Sequence, residues 1–260
     1  MSVTEVATWP LVDRLLWQAR KSAFPPGEFV GQESFVSATE ILWLAERAGV
    51  RDGVRVLDLC CGVGGPGLLV ARQLGCDYLG VDADPDAVAG ARLRAADQGV
   101  EARFDVATVP PLPPGNFDVV MLLETLLAFR DKRGLLAEVA AALSLGGRFV
   151  FTVEAGRPLS AAERAAMPDA DTVWLTTFSD LQSDLASLGL RLRWLSDRSA
   201  THRRTVDALV GAYIGVEAEV RAAGEEDVVA GLISSHRLWA HWLGSGRVRK
   251  FAGVAERVVP

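Results

Sequence analysis

Cysteine and histidine are scarce in this chain, three of each in 260 residues. Cys60, Cys61 and Cys76 are too few and too unevenly spaced for a disulfide framework or a zinc site, so they read as reduced thiols. His236 and His241 lie five apart and do not share a helix face, which disfavours a metal site. Positive charge is also short, 27 Lys and Arg against 33 Asp and Glu, a net charge of −6. That lacks the electrostatic footprint of a nucleic-acid or anionic-membrane partner, and neither is expected. No apolar stretch reaches the 18 or so uncharged residues of a spanning helix. The opening MSVTEVATWPLVDRLLWQ carries acids where a secretory signal has a basic region, so a cytoplasmic location is expected. Low-complexity linkers and internal repeats are absent as well.

What remains is half apolar and 23% charged, ordinary for a globular domain. From Val54 one unit recurs, a short apolar run, a turn, then a segment with helical spacing. VRVLDLC, CDYLGVD, EARFDVA, FDVVMLLE and RFVFTVE are predicted as strands, with helices from Pro66, Pro85 and Leu135 between them. The Gly146-Gly147 pair is read as the turn before the fifth strand. This alternation predicts an α/β fold, a Rossmann-like doubly wound sheet with helices on both faces. LRLRWLS and RVRKFAGVAERV supply a sixth and a seventh strand, and the basic run GRVRKFA is read as a solvated strand edge. The boundaries expected are a helical N-terminal lid over 1–50, a core over 51–197 with a lid at 155–177, a helical insertion over 198–245 and a final core strand over 246–260.

The loop after the first strand, DLCCGVGGPG, contains G-x-G-x-x-G from Gly62 to Gly67. With a strand before it, a helix after it and Asp82 twenty residues on, it points to a nucleoside site, where Asp82 would accept hydrogen bonds from ribose hydroxyls. Dinucleotide loops run an apolar strand into the first glycine. Here Asp58 ends the strand, the wrong charge beside a pyrophosphate and the right one beside a cation.

VLDLCCGVGG resembles motif I of the class I S-adenosylmethionine-dependent methyltransferases, in which a Gly usually stands at the place of Cys60. GVDAD resembles their ribose-binding loop, FDVATVPPLP their adenine clasp, FDVVMLLETL their motif IV, and LGGRFVFTVE their fifth strand with its turn. The resemblance runs from about Glu33 to Ser196 and is strongest to the small-molecule branch, the sarcosine/dimethylglycine and cyclopropane-type enzymes. It implies S-adenosylmethionine as cofactor, S-adenosylhomocysteine as product, and Asp58, Cys60, Gly62, Gly64, Asp82, Ala83, Asp105, Val106, Leu123 and Gln32 around the cofactor. The implied reaction is in-line methyl transfer to a small molecule, through nitrogen, oxygen or carbon, by a monomer or homodimer. Glu124 is read as base or acceptor anchor, or as a residue that orients the cofactor or caps the next helix. The relatives' His four residues beyond is Ala128 here. The long segment after the fifth strand brings Glu154 and Trp174 toward an acceptor, and Trp239 lies beside His236 and His241; packing is the competing account of both tryptophans. A cofactor-binding enzyme that transfers no methyl group, and a nicotinamide oxidoreductase, are the alternatives.

Overall fold

A computed structural model describes residues 9–168 and 170–259. Seven strands, β1 (Arg55–Leu59), β2 (Asp77–Asp82), β3 (Arg103–Val106), β4 (Phe117–Leu122), β5 (Leu143–Ala155), β6 (Leu190–Asp197) and β7 (Arg249–Arg257), form one sheet in the order β3-β2-β1-β4-β5-β7-β6. β1 to β5 pair in parallel, and β7 lies antiparallel between β5 and β6. The strand order reverses between β1 and its neighbours β2 and β4, where open α/β sheets place their ligands.

The α-helices of the described residues are α1 (Leu11–Ser22), α2 (Ala38–Arg47), α3 (Gly65–Leu74), α4 (Pro85–Gln98), α5 (Lys132–Ala142), α6 (Ala161–Ala166), α7 (Phe178–Ser187), α8 (Ser199–Ala222) and α9 (Glu226–Ser245). The helix starts follow local chemistry. Asp84 caps α4 by accepting from Asp86 N–H, ahead of Pro85 at the first helical position. Ser37 accepts from Glu40 N–H to cap α2.

One face of the sheet buries Val56, Tyr78, Phe104 and Val119 under α2, α3 and α4. The other buries Leu57, Val120, Phe149 and Phe151 with Leu135, Leu136 and Val139 of α5 and Leu181 and Leu185 of α7. Strands covered on both faces read as continuous apolar runs, which is why the repeat was visible in the sequence. Two smaller apolar clusters hold α1, α8 and α9 as a helical cap over the carboxyl edge, and Phe35 packs against both.

Two expectations are corrected. Gly146 and Gly147 do not end a helix-to-strand turn; β5 runs through them, with a register irregularity opposite Phe117 and Val119. The run GRVRKFA is not a solvated edge, because β7 has a strand on each side and Lys250 is 1% exposed. An antiparallel strand brings its first residues to the edge where the parallel strands end, so Lys250 pairs with Glu154 in register.

Candidate active site

At the switch point a cavity of about 740 Å³ is walled by the β1–α3 loop, the end of β2, the start of α4, the end of β4 and a strap at residues 31–34. This is within the ~300–1,000 Å³ range of small-molecule sites. Glu33, Asp58, Asp82, Asp84, Asp86 and Glu124 all line it, and no Lys, Arg or His does among the described residues.

The glycine loop owes its shape to contacts beneath and above it. A Cβ on Gly67 would lie 1.8 Å from the Tyr78 hydroxyl, and one on Gly65 would lie 2.3 Å from the Val30 carbonyl. The first space belongs to the Tyr78 O–H that donates to Asp58 Oδ2 at 2.6 Å; the second lets the strap rest on the loop. Burial raises the Asp58 carboxyl, the Tyr78 hydrogen bond opposes it and the Asp82 charge adds to it, so it is pushed up to about 7. Asp82 accepts from Gly62 N–H at 2.8 Å and Asp84 N–H at 3.0 Å, one donor per oxygen, which leaves lone pairs for further hydroxyls. Cys60 has φ +57°, the left-handed region that favours glycine. Burial, then the Asp82 and Asp58 charges, push its thiol up to about 12, and the same groups raise Cys61; neither is a thiolate nucleophile.

The strap is fixed from both ends. Gln32 accepts Val30 N–H at 2.7 Å and donates to the carbonyls of Glu28 and Val36, so its amide staples the turn and is not free for a ligand. Arg20 of α1 gathers the carbonyls of Gln32, Glu33 and Ser34 and donates to the Tyr213 hydroxyl of α8 at 3.1 Å. On the far side, Phe35 N–H donates to Glu124 Oε2 at 3.2 Å.

Glu124 follows β4 with φ +68° and sits in a buried ionic cluster. Its Oε1 receives the Lys250 ammonium and the Thr152 hydroxyl at 3.0 Å, and its Oε2 receives His202 Nε2 at 3.0 Å besides the Phe35 amide. Burial alone would raise this carboxyl; His202 and Lys250 outweigh burial and hold it well below the usual range. Lys250 also donates to Glu154 Oε1, which lies 3.8 Å from His202. Burial works against the Lys250 charge, but the two carboxylates raise its pKa overall. Ligand atoms of Glu124, Glu154 and His202 lie within 4.8 Å of one another, a spacing suited to a cation, and the Lys250 ammonium already supplies that charge.

Of the residues singled out in the sequence, Gln32, Asp58, Cys60, Gly62, Asp82, Leu123 and Glu124 meet at the cavity. Gly64 serves as the left-handed N-cap of α3, and Ala83 is not part of the cavity wall. Asp105 pairs with Arg92 at 3.3 Å and Val106 is 51% exposed, both outside the wall. Glu154 is spent in the ionic cluster. Trp174 packs at the turn Leu126–Ala128, its backbone N–H donating to the Leu127 carbonyl at 2.8 Å, its indole N–H to the Asp171 carbonyl at 3.0 Å, and the guanidiniums of Arg130 and Arg164 lie against its ring. Trp239 is buried against Trp242. Sequence reasoning missed His202, Lys250 and Arg20, which reach the site from elements 78, 126 and 104 residues away from Glu124 along the chain. A period-two reading of β7 carries the one available signal, since Lys250 shares a face with the buried Ala252 and Val254.

Residues 56–147 match a family model described as a methyltransferase domain. Norajmaline N-methyltransferase from Rauvolfia serpentina is 32% identical over 157 residues, 58% of this chain and 54% of that protein. This chain therefore spans about half the length of that relative. Among solved structures, the cyclopropane synthase MmaA2 from Mycobacterium tuberculosis superposes with a TM-score of 0.80 at 14% identity, covering 96% of this chain and 95% of that one. The [4+2]-cyclase SpnF superposes with a TM-score of 0.75 at 20% identity, covering 96% and 94%. With motif I at the switch point and the acids of β1 and β2 turned into the cavity, residues 56–147 of this chain are similar to a methyltransferase domain.

Proposed function

We propose that the protein transfers a methyl group from S-adenosylmethionine to a small molecule. The observation that carries this reading is the sign of the cavity. Six carboxylates and no basic side chain among the described residues line it, which suits a ligand bearing a sulfonium and an ammonium and opposes a pyrophosphate. A nicotinamide dinucleotide is disfavoured on the same ground. Asp82 would hold the ribose hydroxyls, and Asp58, at the floor beside Cys60, the cationic end. The match to a methyltransferase-domain model supports the reading.

In-line displacement asks a protein mainly for positioning, which in favourable cases is equivalent to ~10⁵–10⁸ M of effective concentration. Glu124 fits that work better than proton abstraction. Four donors occupy its two oxygens and its pKa is depressed, so we read it as the post that ties the strap, through Phe35, to the end of β4. The expected organisation is an N-terminal lid over 1–50, a core over 51–197, a helical insertion over 198–245 and a returning strand over 246–260, with the acceptor between lid and insertion. We expect a cytoplasmic enzyme, monomer or homodimer, acting on neither nucleic acid nor membrane.

A second reading has one observation in its favour. With both oxygens committed, Glu124 at the end of β4 is not available as a base, and a cyclisation catalyst that uses the cofactor only as a structural ligand would need none there. Calorimetric titration with S-adenosylmethionine, S-adenosylhomocysteine and NADH separates these accounts. Binding of the first two alone supports the cofactor reading, and binding of NADH alone would overturn it. Release of S-adenosylhomocysteine during turnover with a panel of amines, phenols and acids then distinguishes transfer from cyclisation. Asp82→Ala should weaken S-adenosylhomocysteine binding about tenfold or more while the protein stays folded, the scale of lost hydrogen bonds to a charged group.

A further inference from the structure

His236 on α9 presents a hydrogen-bond acceptor with nothing to accept. Its Nδ1 lies 2.7 Å from the Leu232 carbonyl, which can only accept, so Nδ1 carries the proton and Nε2 is a bare lone pair. Nε2 is buried and has no hydrogen-bond partner among the described residues. Leaving such a group unsatisfied is costly, and folds that keep one usually have a use for it.

The surroundings are apolar and close to the cofactor cavity. The ring meets Tyr213 edge-on at 5.2 Å and Phe35 at 5.6 Å between centroids. Phe35 meets His202 on its other side at 5.1 Å, while its amide holds Glu124, a wall of the cavity. One aromatic side chain therefore separates His236 from the end of β4. Tyr213 belongs to a buried apolar cluster with Leu209 of α8 and Val229 and Ile233 of α9. Among the described residues, Tyr213 of α8 touches the ring and the Arg20 charge of α1 acts on it, while His202 of α8 and Glu124 lie against Phe35. Burial lowers the imidazole pKa, the Leu232 hydrogen bond opposes this and the Arg20 charge adds to it; the net effect is a neutral, proton-accepting ring.

We propose that His236 is the proton acceptor for the methyl acceptor, an apolar molecule whose O–H or N–H enters beside Phe35 and donates to Nε2. This rests on the methyl-transfer reading above. The proton passes to Nε2, and the freed lone pair forms the new bond to the methyl carbon. The carbon–sulfur pair stays on sulfur as a neutral thioether, and the imidazolium then returns its proton to water.

The test uses protein saturated with S-adenosylhomocysteine and labelled with ¹⁵N-histidine. The probes are p-cresol, which has a hydroxyl to donate, and 4-methylanisole, which does not. The Nε2 resonance of His236 should shift saturably with p-cresol and stay in place with the ether. His236→Asn keeps a side-chain N–H for the Leu232 carbonyl and removes Nε2; it should bind p-cresol about tenfold more weakly, the loss of one buried hydrogen bond, with unchanged affinity for S-adenosylhomocysteine. An unmoved resonance, an equal shift with both probes, or equal p-cresol affinity in wild type and His236→Asn would overturn the proposal. Saturation is measured first by calorimetry. Failure to bind S-adenosylhomocysteine sinks the cofactor reading, whereas binding it with an indifferent His236 sinks only this one.

Discussion

The backbone amide of Phe35 donates to Glu124 Oε2 at 3.2 Å, so the strap over the switch-point cavity and the end of β4 are one mechanical unit. Strap position, cavity shape and the buried ionic cluster are thereby coupled, and each can be perturbed from a distance.

Arg20 tests that coupling from outside the cavity. Its guanidinium collects three strap carbonyls and the Tyr213 hydroxyl, and Arg20→Ala frees all four. Amide hydrogen exchange across residues 31–36 should quicken by about tenfold or more, and S-adenosylhomocysteine should bind about tenfold more weakly. Arg20→Lys, with one ammonium in place of a planar fork, should fall between. Unchanged exchange would mean that the strap holds itself.

Lys250 is expected to dominate the stability of the cluster. Lys250→Met leaves Glu124 and Glu154 facing each other beside His202 in a buried site, an uncompensated charge that costs about 3–5 kcal/mol. Glu154→Gln on that background removes one of the charges and should recover part of the loss. Urea unfolding midpoints of the three proteins provide the comparison.

Asp58 gives a pH dependence with a definite sign. Its carboxyl is raised in the folded protein to about 7, above its ordinary value of 3.8. The folded state therefore holds the proton more tightly, and the stability it contributes, full at low pH, is lost as pH rises through about 7. A cationic ligand needs the ionised form, so S-adenosylmethionine affinity should rise by up to about tenfold per pH unit below that value and then level off, with proton release on binding. Calorimetry in buffers of different ionisation enthalpy reads the released proton. Asp58→Asn should flatten both curves.

Cys60 occupies a glycine conformation without being glycine. Cys60→Gly should leave ligand affinity unchanged and alter stability by no more than about 1 kcal/mol in its favour, since relieved strain is offset by a more flexible unfolded chain. Cys60→Val, branched at Cβ, should lower the melting temperature. If both variants melt like the wild type, the left-handed backbone at this position carries no strain.

How much of this was legible in the sequence follows from where the signals are local. The five-strand repeat and the acids of motif I and β2 were readable because each strand announces itself by its own apolar run and each loop by its own glycines. The ionic cluster was not, because Glu124, Glu154, His202 and Lys250 come from four separate elements and become neighbours only through sheet order. Lys250 was misread for a specific reason. A lysine in a short strand usually marks a solvated edge, and nothing within the strand says that another strand will close over it. Gln32 was misread because an amide beside a cavity looks free until the turn it staples is seen.

The position of β7 also bears on how the protein is made. A chain leaves the ribosome N-terminus first, so β1, β4 and β5, with Glu124 and Glu154, emerge before the strand that carries Lys250. Until that strand slots between β5 and β6, the nascent sheet presents two acids at its open edge with no lysine between them. The same insertion joins the last sheet hydrogen bonds and delivers the balancing cation. The ionic cluster at the end of β4 is thus complete only once the last strand of the sheet is in place.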